Sequence, residues 1–155
     1  MKLIKVAIVG IGRAGWGMHC KDIEKREEKF EIAGCYDILP ERMEKMKERY
    51  PEIKLYSHFE DVLNDPDIEI VDIATPSTLH VDQAITALNA GKKVFLEKPI
   101  ATSLADAKKM IAVAESTGNN LYFRHNRRFE PGFQHIREII ASGKIGDVFE
   151  LGEGK

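Results

Sequence analysis

The sequence has few cysteines, few aromatic residues, no excess of charge and no long apolar run. Of its 155 residues, 2 are cysteines and 8% are aromatic, and the formal net charge is -2. Two cysteines exclude a disulfide-rich scaffold, and neither has CxxC spacing or a histidine at metal-ligand spacing. The near-neutral charge argues against nucleic acid or an anionic membrane as partner. The longest apolar run, Val6 to Val9, is far shorter than the roughly 20 residues of a membrane span.

These absences predict a protein of the reducing cytoplasm without a signal peptide, a membrane segment or a metal site. Cys20 and Cys35 are expected to be reduced structural thiols, on a helix and a strand respectively. A chain of 155 residues with 43% hydrophobic side chains is long enough to bury a core without disulfides.

Apolar runs of strand length alternate with amphipathic helices, a pattern typical of βα units and a parallel sheet. Two βαβαβ halves with right-handed crossovers predict a doubly wound α/β fold of order 3-2-1-4-5-6, with ligands at the switch point between the first and fourth strands. The predicted strands are Leu3–Val9, Phe30–Tyr36, Ile53–Tyr56, Ile68–Ala74, Lys93–Leu96 and Leu121–Phe123. The predicted helices begin near Gly12, Pro40, Phe59, Ser77 and Ser103.

Local sequence signals predict where several of these helices begin and end and which face they bury. The first is predicted to run to about Glu28. The second places three apolar residues on one face, which indicates core packing; they are Met43, Met46 and Tyr50. Ser77 and Ser103 are expected to cap helices that end in Gly91 and Gly118.

The strongest motif is a glycine-rich turn. Gly10-Ile11-Gly12-Arg13-Ala14-Gly15 matches G-x-G-x-x-G directly after a strand and at the start of a helix. The first glycine allows the sharp turn, the second lets the backbone approach a pyrophosphate, and the third allows close helix–sheet packing. The helix N-terminus offers free N–H groups to the phosphates. Simple turn chemistry is the alternative.

An acidic residue at the end of the second strand strengthens this interpretation. Asp37 follows Gly15 by 22 residues, close to the roughly 20 expected for an acid that binds the adenosine ribose hydroxyls. Its charge disfavours a 2′-phosphate, so NAD is predicted over NADP. Arg42 is the one nearby side chain that would reverse this preference.

Two further loops follow the fourth and fifth strands. Thr75-Pro76 and His80 are predicted to lie beneath the cofactor, where Thr75 and His80 bond its phosphates or nicotinamide ribose. A proline turn with a surface histidine is the alternative. In Glu97-Lys98-Pro99, Lys98 is expected to hydrogen-bond a substrate oxygen during hydride transfer. To exchange a proton near neutral pH, its amine would need burial or neighbouring cations. Glu97 would bind ribose or orient Lys98; an exposed ion pair is the alternative.

Together with His125-Asn126-Arg127-Arg128-Phe129, these motifs resemble the glucose–fructose oxidoreductase / inositol dehydrogenase (Gfo/Idh/MocA) family along essentially the whole chain. The resemblance implies a nicotinamide-dependent oxidoreductase of sugars, cyclitols and related polyols. It implies a catalytic Lys98 and places Asn126 and Arg127 beside the nicotinamide, with a basic surface loop as the alternative. His19 also fits the family, but we assign it mainly to packing.

The resemblance predicts a dinucleotide-binding domain over residues 1–123. Residues 124–155 would be the linker, a helix (Pro131–Ser142) and the first strand (Ile145–Leu151) of an otherwise absent substrate and dimerisation domain. The family's Asp-x-x-x-His pair does not occur after Arg128. We therefore expect a truncated, catalytically incomplete part of a homo-oligomeric enzyme.

Two other functions are weighed against this one. A stand-alone dinucleotide sensor or subunit would need no catalysis of its own. A methyltransferase would also place a glycine turn and an acid in these positions, but Glu97-Lys98-Pro99 has no role there.

Overall fold

A computed structural model describes residues 2–150 and residue 152. The described residues divide into two compact units, with the boundary along the chain between Arg124 and His125. No helix in this described part is both long and apolar enough to cross a membrane.

The first unit is built on one parallel sheet whose order is β3-β2-β1-β4-β5-β6. This confirms the predicted 3-2-1-4-5-6 order, with β1 and β4 adjacent at the switch point. The strands are β1 (Ile4–Val9), β2 (Phe30–Tyr36), β3 (Lys54–Leu55), β4 (Ile70–Ile73), β5 (Lys93–Glu97) and β6 (Leu121–Arg124).

Helices cover both faces of this sheet. A π-helical turn (Gly15–His19) leads directly into α1 (Cys20–Glu24), and a 3-10 turn (Ser77–Leu79) precedes α4. The remaining α-helices of the first unit are α2 (Pro40–Arg49), α3 (Phe59–Asn64), α4 (His80–Asn89) and α5 (Leu104–Thr117).

The core forms two clusters because side chains of a strand alternate between faces. In β1, Val6 and Ile8 join one cluster, while Ala7 and Val9 join the other. Met46 is fully buried in the first of these clusters, beside the two other apolar residues predicted on its helix face. Cys20 and Cys35 lie on α1 and β2 as predicted and are buried without a disulfide.

Burial raises the pKa of the Cys20 thiol to about 11 and that of Cys35 to about 12. Thiolates are the reactive form of cysteine, so both side chains act as apolar core residues.

Two helix predictions need correction. The first helix ends at Glu24 instead of Glu28, because residues 25–29 are all charged and have no apolar side chain to bury. Ser77 does not cap α4, since Leu79 precedes it without a side-chain cap. The Ser103 cap is confirmed: its hydroxyl accepts the N–H of Asp106 at 3.1 Å.

The second unit contains a 3-10 turn (Asn126–Phe129) and α6 (Pro131–Ala141). The strand predicted from Ile145 to Leu151 is wrong over residues 145–150, which form turns and irregular chain; Leu151 lies outside the described residues. A strand needs a partner for its backbone hydrogen bonds, and no described segment pairs with this one.

Candidate functional site

The glycine-rich turn sits at the carboxyl end of β1 and needs its glycines for different reasons. Gly10 has a φ of 90°, and a Cβ there would lie 2.7 Å from the backbone of Ala74 and Thr75. A Cβ on Gly15 would lie 2.1 Å from the carbonyl oxygen of Gly10. Gly12 differs, because a Cβ there meets nothing within 4 Å. The chain's own packing therefore explains two glycines and leaves open space beside the third.

The helix after this turn starts as predicted but with unusual geometry. The Trp16 N–H donates to the Gly12 carbonyl at 3.0 Å, so the preceding amides are the free N–H groups of a helix start. The Cys20 N–H then donates to the Gly15 carbonyl, a bond spanning five residues. Such π turns occur often at functional sites. Arg13 is exposed beside the free amides and Ala14 is half-buried.

Asp37 is buried and faces the glycine turn. One carboxylate oxygen, Oδ2, accepts the N–H of Ile11 at 2.6 Å, while Oδ1 accepts the N–H of Leu39 at 3.0 Å. The guanidinium of Arg42 lies 3.2 Å from Oδ2. Sequence reasoning identified Asp37 and Arg42 separately but missed that they form an ion pair.

The position of His80 contradicts one of its two interpretations and gives its ring partners within the chain. The ring is buried, which excludes a helix-surface histidine. Nδ1 lies 2.8 Å from the Pro99 carbonyl oxygen and Nε2 lies 2.9 Å from the Thr75 carbonyl oxygen. His80 thus joins the loops after β4 and β5, and both ring nitrogens are occupied by the chain rather than free for phosphates. The Thr75 hydroxyl also has an internal partner, because it donates to Gln83 at 2.6 Å.

Glu97 and Lys98 do not form the exposed ion pair that was considered. Glu97 is buried at the end of β5, whereas Lys98 is exposed at the same edge of the sheet. Glu97 Oε2 lies 2.8 Å from His19 Nε2 and 3.5 Å from Arg124 Nε. The two neighbours therefore face different surroundings.

His19 does more than pack. Its ring is completely buried, and its Nδ1 lies 2.6 Å from Asp72 Oδ1 while Nε2 contacts Glu97. Arg124 also pairs with Asp22. Sequence reasoning missed Asp72, Asp22 and Arg124 as members of this cluster. The available signal was Asp72, an acidic residue inside an otherwise apolar buried strand.

The other two predicted site residues belong to the second unit. Asn126 and Arg127 lie in its 3-10 turn, and Arg127 is an exposed side chain that pairs with Glu130 at 3.2 Å. A role beside the nicotinamide stays a prediction for both.

A parallel sheet of this order, with a glycine turn after β1 and an acid after β2, defines a Rossmann domain of the dinucleotide-binding class. The family model described as "Oxidoreductase family, NAD-binding Rossmann fold" matches residues 4–125. The chain therefore belongs to the Gfo/Idh/MocA oxidoreductase family, as the motifs indicated.

Similar proteins agree with this assignment. The chain is 34% identical to inositol 2-dehydrogenase of Salmonella typhimurium over 92% of its length. It is 32% identical to scyllo-inositol 2-dehydrogenase (NADP(+)) of Bacillus subtilis over 94%. The solved structure of the WlbA dehydrogenase from Chromobacterium violaceum with NADH and UDP-GlcNAcA has a TM-score of 0.88, at 29% identity over 94% of this chain. The chain spans 43%, 39% and 42% of these proteins, respectively.

Proposed function

We propose that the chain binds NAD(H) for an oxidoreductase that transfers hydride between nicotinamide and a sugar, cyclitol or related polyol. The observation that carries this proposal is the glycine-rich turn, where the space beside Gly12 is open and the Asp37 carboxylate is bonded to Ile11 of the same turn. Internal packing gives no reason for a glycine at position 12, whereas a pyrophosphate against the backbone does.

The residues present fit such a cofactor. The amides at the start of the helix, from Gly12 to Gly15, would bind the phosphates. Asp37 would accept hydrogen bonds from the adenosine ribose. When bound, the nicotinamide supplies the hydride donor or acceptor. Lys98, exposed at the end of β5, would donate a hydrogen bond to the reacting oxygen of the substrate and hold it in place.

The contacts of the other predicted binding residues suggest supporting roles. His80 keeps the loop of Thr75 and Pro76 against the loop that begins at Lys98. Glu97, whose Oε2 contacts His19 and Arg124, would use its other oxygen to bind ribose or to orient Lys98. Asn126 and Arg127 would approach the nicotinamide in the whole protein.

The substrate class is supported by the names of the relatives, two of which are inositol dehydrogenases. One solved relative holds a nucleotide sugar acid together with NADH. The chain spans only 39–43% of these proteins. By resemblance, we therefore propose three features for the whole protein: a substrate pocket, a catalytic Asp-x-x-x-His pair and homo-oligomer formation. A cytoplasmic location is part of the same proposal, supported by two buried cysteines without a disulfide.

NAD is proposed over NADP on electrostatic grounds. The buried Asp37 carboxylate would repel a 2′-phosphate, and Arg42 is already paired with it at 3.2 Å. One relative is named as NADP(+)-dependent. The competing proposal is therefore NADP binding, in which Arg42 would leave Asp37 and bind the 2′-phosphate.

Calorimetric titration of this chain with NADH and NADPH tests the proposal. NADH is expected to bind more tightly, and Asp37→Asn is expected to narrow the difference because it removes the repelling charge but keeps the side-chain shape. Arg42→Ala serves as the control and should leave NADH affinity nearly unchanged. Absence of NADH binding at millimolar concentration would contradict the proposed function. The same ratio of NADH to NADPH affinity in wild type and Asp37→Asn would contradict the role of Asp37 in the NAD preference.

A further inference from the structure

The buried cluster around His19 connects the glycine-rich turn to three strands. His19 ends the π turn that starts at Gly15, and its ring reaches Asp72 on β4 and Glu97 on β5. Three residues after His19, on α1, Asp22 pairs with Arg124 on β6. Side chains of one helical segment are thus bonded to β4, β5 and β6.

The two contacts of His19 define its charge. A neutral imidazole has one N–H, so only one of its nitrogens can donate a hydrogen bond. Here both nitrogens lie within hydrogen-bond distance of carboxylates, at 2.6 and 2.8 Å. Carboxylates accept and do not donate when ionised, so two protons on the ring satisfy both contacts. The geometry therefore favours an imidazolium.

Charge balance agrees with the geometry. Asp72 and Glu97 are 2% and 7% exposed, and buried charges are costly unless paired. Arg124 contacts Glu97 but is shared with Asp22. Burial disfavours a charged ring, but hydrogen bonds to Asp72 and Glu97 and the charge of Asp72 outweigh it, and the pKa of His19 is raised above its usual value.

The cluster lies where the proposed site needs rigidity. Gly15, at the other end of the π turn, packs against the Gly10 carbonyl, so the turn cannot shift independently of β1. Glu97 directly precedes Lys98, and Asp72 precedes Thr75 by three residues. A displacement of the His19 ring would therefore move the strand ends that carry the predicted loops.

We propose that His19 is a positioning residue whose imidazolium fixes the ends of β4 and β5 against the glycine-rich turn, so that cofactor affinity depends on its protonation. This inference rests on the proposed function, since it presumes that NADH binds at this turn. The charged groups that face the ring are Asp72, Glu97 and Arg124, with Asp22 behind Arg124.

The sign of the pH dependence follows from the raised pKa. The imidazolium contacts are fully present below the ordinary histidine value of about 6.5 and are lost as pH rises through the higher value of the folded chain. NADH affinity should then be highest at the acid end of the range and weaken as pH rises through the raised His19 pKa.

The experiment combines nitrogen-15 NMR of the histidine rings with NADH titrations of this chain between about pH 6 and about pH 10, a range that brackets the ordinary histidine value. The His19 signal is the one that disappears in His19→Gln. We expect two protonated ring nitrogens at neutral pH, and NADH affinity that falls in parallel with their deprotonation. His19→Gln should bind NADH roughly fivefold more weakly or worse and lose this pH dependence.

Two further variants keep the test independent of folding defects. Cys20→Ala removes a neighbouring buried side chain without charge and should keep the wild-type pH profile. Glu97→Gln removes one carboxylate and should move the His19 deprotonation to lower pH.

A neutral His19 ring at neutral pH, or wild-type affinity and pH profile in His19→Gln, would overturn the inference. Wild-type chain that fails to bind NADH at every pH would instead overturn the proposed function, and the NMR signals would still show whether the ion cluster exists.

Discussion

At the scale of single residues, the glycines of the turn after β1 separate folding from binding. A Cβ added to Gly15 would lie 2.1 Å from the Gly10 carbonyl oxygen, whereas one added to Gly12 would enter open space. Gly12→Ala should therefore fold with a free energy of unfolding within about 1 kcal/mol of wild type but bind NADH more weakly, because the methyl group occupies the space proposed for the pyrophosphate. Gly15→Ala should instead lower the free energy of unfolding.

Urea denaturation and NADH titration of both variants measure these two effects. Equal NADH affinity of Gly12→Ala and wild type would contradict the assigned pyrophosphate position.

Sequence reasoning brought the glycine-rich turn and Asp37 together but did not predict the contacts of the two buried histidines. G-x-G-x-x-G and Asp37 have spacings that point to one place on one fold, and the structure puts them side by side. The roles of His80 and His19 could not be read in the same way, because a lone histidine gives no periodic signal. Their partners, the Pro99 carbonyl and Asp72, are distant in sequence and meet them only when the sheet has formed.

At the scale of elements, the short strand β3 is attached to the rest of the sheet by Asp65. Its carboxylate accepts hydrogen bonds from Lys54 at 2.6 Å and from the Tyr56 hydroxyl at 2.8 Å. The Asp65 carbonyl accepts another from the buried Lys92 at 2.6 Å. The hydrogen bond from Lys54 is the main reason that the pKa of Asp65 is lowered to about 2. β3 has only two residues, so these side-chain bonds add to a short ladder.

Asp65→Asn should lower the free energy of unfolding by about 1 kcal/mol at neutral pH, because it removes a charge-assisted hydrogen bond. A lowered carboxyl pKa stabilises the fold above the ordinary value near 3.8 and loses this effect as pH falls toward about 2. The wild-type stability curve should therefore drop in that range, and the variant's curve should be flatter there. Urea denaturation from neutral to acid pH measures the free energy of unfolding of both proteins.

Asp67→Asn, at a side chain 73% exposed, is the control and should change stability by a few tenths of a kcal/mol. An equal loss of stability in both variants would contradict the role of Asp65 in holding β3.

The elements themselves were predictable where apolar periodicity was strong. β1, β2 and the helices with clear amphipathic faces lie where the pattern placed them, and Gly118 ends α5 in the left-handed conformation expected of a C-terminal glycine. The π turn was not predictable, since its five-residue hydrogen bond has the same side-chain pattern as an α-helix over so short a stretch. The strand predicted from Ile145 did not form over the described residues because no described segment pairs with it, and a strand needs a partner for its backbone hydrogen bonds.

At the scale of the whole molecule, the proposed function gives Lys98 a role in hydride transfer. In the whole protein, Lys98→Ala should reduce kcat by about 10²- to 10⁴-fold, the usual contribution of a positioned acid–base group, and should change the Kd of NADH far less. Lys93→Ala, on the same strand, is the matched control. Steady-state kinetics together with NADH titration separate the two effects, and unchanged kcat would remove Lys98 from the reaction.

The strand order also has a consequence for the synthesis of the chain. β1 lies between β2 and β4, so its second edge stays unpaired until Ile70–Ile73 has left the ribosome. At about 5–20 residues per second, the apolar sequence of Ile4–Val9 waits for several seconds with an open edge, the condition under which nascent strands pair wrongly. Translation speed and chaperone binding over this interval are therefore expected to change the yield of folded protein.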